Sequence, residues 1–341
     1  MEGLELVSIS SPSAWTGREG AVVRRTNLRR YEGNAMSRDL RVVDLFCGCG
    51  GLSKGFRDAE IDVLRGFDNW PIAIETYSAN LPEGAELLDL SDTDATVKAL
   101  TPWMESADGI IGGPPCQDFS SAGKRVEGDR ADLTEKYAAV VTAFMPEFFL
   151  MENVPRAQNA AAFRRAIATM AAAGYGITEQ VVNAMYCGVP QNRKRLVTVG
   201  FRDRNQDDSF RAFLLDGLSD TPMSLRDYFG DSLGTEFIYR HPRSYARRGV
   251  FSIDDPSPTV RGVNRPIPSG YPGHPGDAAP VSMARPLTTV ERARVQTFED
   301  YTWPGSKTDN EQMIGNAVPV KLAAHVAGAI KRYLEINPDP Q

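Results

Sequence analysis

From Arg41 to Arg202 short apolar runs alternate with longer amphipathic segments, and no other feature constrains the fold as strongly. "RVVDLF" (41–46) reads as a buried strand, and a glycine turn leads from it into a helix over 51–58. "DVLRGF" (62–67) is a second strand, followed by a helix over 70–81, a short strand at "AELLDL" and a helix over 93–104. "ADGIIGG" (107–113) is the fourth strand. A helix over 132–145 precedes a fifth, "EFFLMEN" (147–153), and the helix "AAFRRAIATMAAAG" precedes the strands "GITEQVVNA" and "RLVTVGF". Strands joined through helices run parallel, and their continuous apolar character requires helices on both faces of the sheet. The expected class is α/β, with a mostly parallel, Rossmann-like sheet. Ligands of such sheets sit beyond the carboxyl ends of the strands, and each unusual motif in this chain falls at such an end.

The alternation stops near residue 203. From there to 284 Pro, Gly, Arg and Asp dominate, and "RGVNRPIPSGYPGHPGDAAP" cannot be a regular helix. Helical periodicity returns at "TTVERARVQTF" (288–298) and "PVKLAAHVAGAIKRYL" (319–334), the latter with proline suited to a first helical position. Residues 1–38, rich in Ser, Gly and Arg, read as a poorly ordered extension. The expected divisions are therefore 1–38, 39–202, 203–284 and 285–341.

Net charge is −6, which taken alone argues against nucleic acid. Its distribution argues otherwise. Glu83, Glu86, Asp89, Asp92, Asp94, Glu105 and Asp108 gather in one stretch around a lone Lys98. Arg240, Arg243, Arg247, Arg248, Arg261 and Arg265 gather in another, against Asp254 and Asp255. A phosphate backbone responds to a local basic face and not to the total. The cysteines Cys47, Cys49, Cys116 and Cys187 form no CxxC pair, and with 3 histidines in the chain no metal site is expected. No disulfide is expected either, which suits a reducing cytoplasm. "MEGLELVSIS" has neither a basic nor a long apolar leader region, and no stretch reads as the roughly 20 apolar residues of a membrane span.

Four motifs carry chemistry. "DLFCGCGGLSKG" brings a backbone close to a nucleotide-like ligand, yet a GxGxxG spacing from Gly48 and Gly50 would put its third glycine at Ser53. Asp68, ending the second strand, is placed to hold ribose hydroxyls. A nucleoside without a pyrophosphate, such as S-adenosylmethionine, suits this set better than NAD. "GGPPCQDFSSAG" puts Cys116 at the strand-end rim, where a minor thiolate fraction is strongly nucleophilic. "MENVPR" puts Glu152 and Asn153 at the end of the fifth strand, and a carboxylate there needs a partner. In "QNRKRLVTVG", Arg193 and Arg195 alternate, so both can face one site.

These blocks, with "RPLTTVERARVQTFED" and "GNAVPVKLAA" in the same order, resemble the cytosine-C5 DNA methyltransferases over residues 41–334. The resemblance implies a DNA (cytosine-5-)-methyltransferase with a Rossmann-like methyltransferase sheet. Residues 39–202 then form the catalytic and cofactor-binding domain, 203–284 the target-recognition region, and 285–341 a segment whose last helix returns to the first strand. It implies that Cys116 attacks C6 of a flipped-out cytosine, that Glu152 meets N3 and the exocyclic amine, and that Arg193 and Arg195 lie near the base. The methyl donor becomes S-adenosylmethionine, leaving as S-adenosylhomocysteine. It is held by Phe46, Gly48 and Gly51 around methionine and adenosine, by Asp68 and Asn69 at the ribose, and by Asp89 at the adenine amine. Pro115, Leu133 and Asn316 complete the contacts. Family members place tryptophan directly after the ribose acid; here Asn69 intervenes and Trp70 follows. Val290 stands where an arginine usually precedes Glu291, so altered local packing is expected there.

Ser120, Ser121 and Lys124 resemble the family's mobile loop over DNA, and Arg240, Arg243, Arg247, Arg248 and Arg261 suit phosphate and base-edge contacts. The implied partners are double-stranded DNA and a restriction endonuclease sharing the site, with no membrane and a monomeric chain in the bacterial cytoplasm, at the nucleoid. Two alternatives stand beside this reading: a tRNA cytosine-C5 methyltransferase, and a catalytically silent DNA-binding relative.

Overall fold

A computed structural model describes residues 39–115, 132–204 and 209–337. The expected lead-in over 1–38 lies outside them. Met36–Gln341 forms one unit by internal contacts. Its main sheet contains β1 (Arg41–Leu45), β2 (Asp62–Asp68), β3 (Ala85–Leu87), β4 (Gly109–Gly112), β5 (Phe148–Asn153), β6 (Tyr175–Asn183) and, after the short β7 (Gln191–Asn192), β8 (Lys194–Arg202). The strand order is β3-β2-β1-β4-β5-β8-β6. The order reverses at β1, which is where an open α/β sheet leaves a crevice.

Alternation along the strands sorts side chains between two faces. Val42, Ile111 and Leu150 point one way, toward α1 (Gly51–Asp58) and a long C-terminal helix. Val43, Ile110 and Phe149 point the other way. There they meet helices from the intervening series α2 (Pro71–Asn80), α3 (Thr93–Met104), α4 (Asp132–Phe144) and α5 (Ala161–Ala172). The Tyr137 hydroxyl from α4 lies 3.1 Å from the Ile110 carbonyl and 2.8 Å from that of Leu150, tying β4 to β5.

Register sets the site. Leu45 pairs with Phe67 and with Gly112, and Gly112 with Met151. Phe46, Asp68, Gly113 and Glu152 therefore emerge at one level. β8 runs antiparallel to both neighbours, pairing Glu152 with Val197 and Asn153 with Leu196. Its beginning, not its end, thus lies at the functional edge and delivers Arg195 beside Glu152.

Downstream come α6 (Ser209–Leu215) and α7 (Leu225–Phe229), then β9 (Phe237–Tyr239), β10 (Val250–Ser252), β11 (Ser257–Pro258) and β12 (Arg285–Pro286). Although α6 falls within 203–284, Phe210 and Phe213 stack on Tyr333 against the main sheet, with ring centroids 5.4 and 5.6 Å away. β10, β9 and β12 form a small sheet, whereas β11 pairs in parallel with β7. The core beneath the small sheet (Leu225, Ile238, Phe251, Leu287, Phe298) runs on to Cys49 and Ala73 under the first glycine turn.

The C-terminal stretch forms α8 (Thr289–Val295), α9 (Lys307–Asn316) and α10 (Val320–Ile336). Sequence periodicity missed α9, because "SKTDNEQMIGNA" is too polar to show an apolar stripe. Its signal was the cap: Ser306 Oγ accepts from Asp309 N at 3.2 Å. "GNAVP" accordingly lies outside the last helix. Gly315 and Asn316 end α9, and Pro319, which disfavours a helical residue before it, separates the two helices. Pro319 is the residue before the first helical position, not that position itself. Residues 307–336 do have the length and composition of a membrane span, contrary to expectation, but 67% of the most apolar window is buried within the fold. α10 lays that apolar face on α1 and the sheet. Val290 is exposed, and the local packing is carried by Glu291, which accepts from Thr288 N and pairs with Arg285.

Candidate active site

A cleft of about 930 Å³ opens along the strand ends, within the roughly 300–1,000 Å³ usual for small-molecule sites. One end is the turn after β1. Phe46, Gly48 and Gly50 have φ of 58°, 54° and 90°, so three left-handed residues in close succession fold the chain back into α1. Phe46 holds that conformation without being glycine, the kind of backbone outlier that concentrates at ligand sites. A Cβ on Gly51 would stand 2.3 Å from the Val318 carbonyl oxygen, so the α9–α10 bend lies directly on this turn.

Asp68 closes the turn from β2. Its Oδ2 accepts from Gly48 N and its Oδ1 from Trp70 N, each at 2.9 Å. Burial pushes the carboxyl up, and these N–H groups, with that of Asn69, pull it back. Acceptor capacity on the carboxylate stays available for a neighbouring hydroxyl. Asp89, exposed on the rim, is held low by the Ser91 N–H at 3.0 Å. Phe46, Asn69, Trp70, Pro115, Leu133 and Asn316 all line the same cleft. Ser53, where a pyrophosphate fingerprint would need glycine, is fully buried and donates to Asp44 at 2.6 Å. The donor and acceptor set fits an adenosine carrying an amino-acid tail, and Ser53 takes the place of the third glycine of a pyrophosphate fingerprint.

The other end is polar and dry. Glu152 Oε1 lies 2.6 Å from Arg195 Nε, and both side chains are only slightly exposed. Burial pushes the Glu152 carboxyl up, opposed first by Arg195 and then by Arg193. Gly113 faces this carboxylate: a Cβ there would lie 3.3 Å from Oε2. Buried Asn153 donates to the Pro114 carbonyl at 3.3 Å and accepts from Val154 N at 2.9 Å, which pins the strand end leading into Cys116.

Arg193 and Arg195 both line the cleft, as their alternation predicts, but they are engaged differently. Arg195 meets the carboxylate. Arg193 sends one nitrogen to the Val260 carbonyl (3.1 Å) and the other to those of Gly315 and Ala317 (3.0 Å each). Cys116, Ser120, Ser121 and Lys124 lie outside the described residues; Pro115 and Leu133, at the limits of the neighbouring described segments, border the cleft.

A second cleft of about 540 Å³ adjoins the first, with Arg243, Val260, Arg261 and Gly262 lining both. Arg240, His241, Arg265 and Arg292 also line it, whereas Arg247 and Arg248 stand exposed beyond it. Burial lowers Arg240 to about 10, helped by Arg261, Arg243, Arg247 and Arg248. A wall so rich in guanidinium groups suits phosphates or base carbonyls. Among the described residues no group of three or more His, Cys, Asp or Glu is arranged for a metal.

Sequence reading overlooked several groups. Asp44, fully buried, is pushed up to about 8 by burial, with Ser53 opposing. Its signal was a carboxylate inside an apolar strand. Gln191, Gln296 and the Arg292–Glu311 ion pair are buried polar groups whose partners lie on distant segments, and nothing local announced them.

The sequence model of a family described as C-5 cytosine-specific DNA methylase matches residues 40–332. The type II methyltransferase M.HgiDI of Herpetosiphon aurantiacus is 48% identical over 297 residues, 86% of this chain and 95% of its own length. M.HindV of Haemophilus influenzae, also a type II methyltransferase, is 49% identical over 299 residues, 86% of this chain and 97% of its own. Among solved structures, the S. pombe Dnmt2 methyltransferase superposes with a TM-score of 0.64 at 18% identity, covering 88% of this chain and 100% of that one.

Proposed function

The chain belongs to the C-5 cytosine-specific DNA methylase family, and from that premise we propose that its cleft joins S-adenosylmethionine at the glycine turn to a flipped-out cytosine at Glu152. It is a DNA (cytosine-5-)-methyltransferase. One observation carries the finer reading: a buried carboxyl paired with Arg195 shares one cleft with a ribose-type carboxylate, Asp68.

Asp68 takes the two ribose hydroxyls, Asp89 the adenine amine, and Phe46 and Trp70 border the ring. When bound, the donor supplies an electrophilic methyl group on a sulfonium. The chain supplies the rest. C5 of cytosine is a poor nucleophile, and the Cys116 thiolate corrects that by adding to C6. As the sulfur–C6 bond forms, negative charge flows toward N3. Glu152, whose carboxyl is pushed up by burial, gives its proton there, and Arg195 holds the carboxyl in place. C5 takes the methyl group; loss of the C5 proton to water then expels the Cys116 sulfur as thiolate and restores the ring double bond, and N3 returns its proton to Glu152. Attack from above the ring plane needs the base outside the duplex. Ser120, Ser121 and Lys124 contact the DNA, and Arg240, Arg243, Arg247, Arg248 and Arg261 contact its phosphates and base edges.

Because the relatives are type II methyltransferases, we read the chain as the modification partner of a restriction endonuclease sharing its site. With both halves of the cleft supplied by one chain, it acts as a monomer on chromosomal DNA in the cytoplasm. The test is transfer of labelled methyl from S-adenosylmethionine to duplex DNA or to total tRNA, with bisulfite sequencing of DNA from expressing cells. Label in duplex DNA at C5 within one short site is expected. Label confined to tRNA, or none, would overturn the reading.

A further inference from the structure

The two ends of the cleft are joined by a buried polar junction that the chemistry does not use. Gln191 and Gln296 are 0% exposed and Arg193 1%. Gln191 Nε2 donates to Gln296 Oε1 at 2.7 Å, while its Oε1 accepts from Val260 N at 2.8 Å. Gln296 Nε2 donates to the Ile314 carbonyl at 2.6 Å and to that of Ala317 at 3.2 Å. Arg193 bridges the same two segments, to Val260 on one side and to Gly315 and Ala317 on the other. Thus three side chains stitch the arginine-rich recognition segment to the bend between α9 and α10.

Backbone packing continues the path in both directions. A Cβ on Gly315 would fall 2.1 Å from Gly262 N, so the end of α9 rests on the Arg261–Gly262 peptide. One residue past Ala317, the Val318 carbonyl presses on Gly51 in the donor turn. Neither segment can move without breaking hydrogen bonds in a dry interior or opening a void, and interiors do not deform continuously. Apolar side chains of similar volume would stabilise this junction as well. What the amides and the guanidinium add is a defined register between recognition segment and donor turn.

We propose that Gln191, Arg193 and Gln296 are positioning residues that couple the two halves of the cleft, so that DNA on the recognition segment and the methyl donor at the glycine turn each tighten binding of the other. The proposal rests on the reading of the cleft given above. Coupling is reciprocal, so it is measurable from either ligand.

The experiment measures the affinity of a duplex bearing the mapped site, with and without saturating S-adenosylhomocysteine, for the full chain and for Gln296→Met and Gln191→Met. Ile330→Val, in the α10 core, serves as a control that lowers the melting temperature without touching the junction. In the unaltered chain the product should raise duplex affinity by about fivefold or more. Both glutamine variants should bring that factor below about twofold, with each ligand's own affinity nearly unchanged, and Ile330→Val should leave the factor intact. A factor retained in both variants, or lost equally in the control, overturns the proposal. Should a variant fail to fold, hydrogen exchange on the unaltered chain decides: duplex alone must slow exchange over residues 48–54, and unchanged rates there overturn it. If S-adenosylhomocysteine does not bind at all, it is the donor reading that falls. If both ligands bind independently, the coupling alone falls.

Discussion

The two walls of the cleft are built on opposite principles. The donor wall is made of strand ends: Phe46, Asp68, Gly113 and Glu152 share a level because β1, β2, β4 and β5 are in register. It is acidic, and its carboxyl groups are tuned by burial and by a few N–H donors or two arginines. The recognition wall is made of loops, is rich in arginine, and is held in place by side chains reaching carbonyls far away in the chain. A sheet edge tolerates no slippage, since one residue of shift inverts every side chain. Loops tolerate substitution and carry specificity. The proposed function accordingly puts chemistry on the first wall and selection on the second.

That contrast breaks most visibly at Glu152. Glu152→Gln should lower kcat by on the order of 10²–10³, as loss of one charge-stabilising group does, while duplex and S-adenosylhomocysteine affinities stay near those of the unaltered chain. Steady-state kinetics beside equilibrium binding separates the two; a loss confined to KM would place Glu152 on the selecting wall instead. The raised pKa of the carboxyl adds a sign: the protonated form serves catalysis, so the kcat of the unaltered chain should fall at high pH.

Next in size is Asp68→Ala. Loss of hydrogen bonds to a charged group, about 1.5–3 kcal/mol, should weaken S-adenosylhomocysteine by roughly 10–100-fold in a calorimetric titration, and duplex binding in the absence of product should hardly change. On the other wall, Arg243→Ala should weaken all duplexes alike and reduce the salt slope of log affinity by about 0.9 if it meets one phosphate. An effect confined to one base position would instead make Arg243 a base reader.

The last effect concerns stability. Burial pushes the Asp44 carboxyl from its ordinary 3.8 up to about 8, so its protonated form is favoured by folding. That stability is fully present below the unfolded value and is lost as pH rises toward 8. Asp44→Asn cannot ionise, so its melting temperature relative to the unaltered chain should climb between pH 5 and pH 8. A flat or falling difference would show that Asp44 is ionised in the fold.

Legibility followed the same division. Strand and helix positions over 41–202 could be read directly, because apolar periodicity and glycine turns are local signals, and the site residues on strand ends came with them. The antiparallel direction of β8 was not legible, yet it decides that Arg195 meets Glu152. Helix α9 was hidden by its polarity. The roles of Arg193, Gln191 and Gln296 were hidden for a different reason: their partners lie 67 to 124 residues away for Arg193 and 105 away between the two glutamines, and no local pattern encodes such pairs.

The central claim is that this cleft brings a sulfur nucleophile to C6 of an extruded cytosine while the methyl donor lies at the glycine turn. A duplex with 5-fluorocytosine at the target position tests it directly, because methyl transfer then leaves no C5 proton to lose. With S-adenosylmethionine present, a denaturation-resistant protein–DNA species should form, and mass spectrometry should place the methylated fluoropyrimidine on the peptide containing Cys116; Cys116→Ser should form none. Methylation of an ordinary duplex without any trapped species on the fluorinated one, or attachment at another residue, would contradict the account.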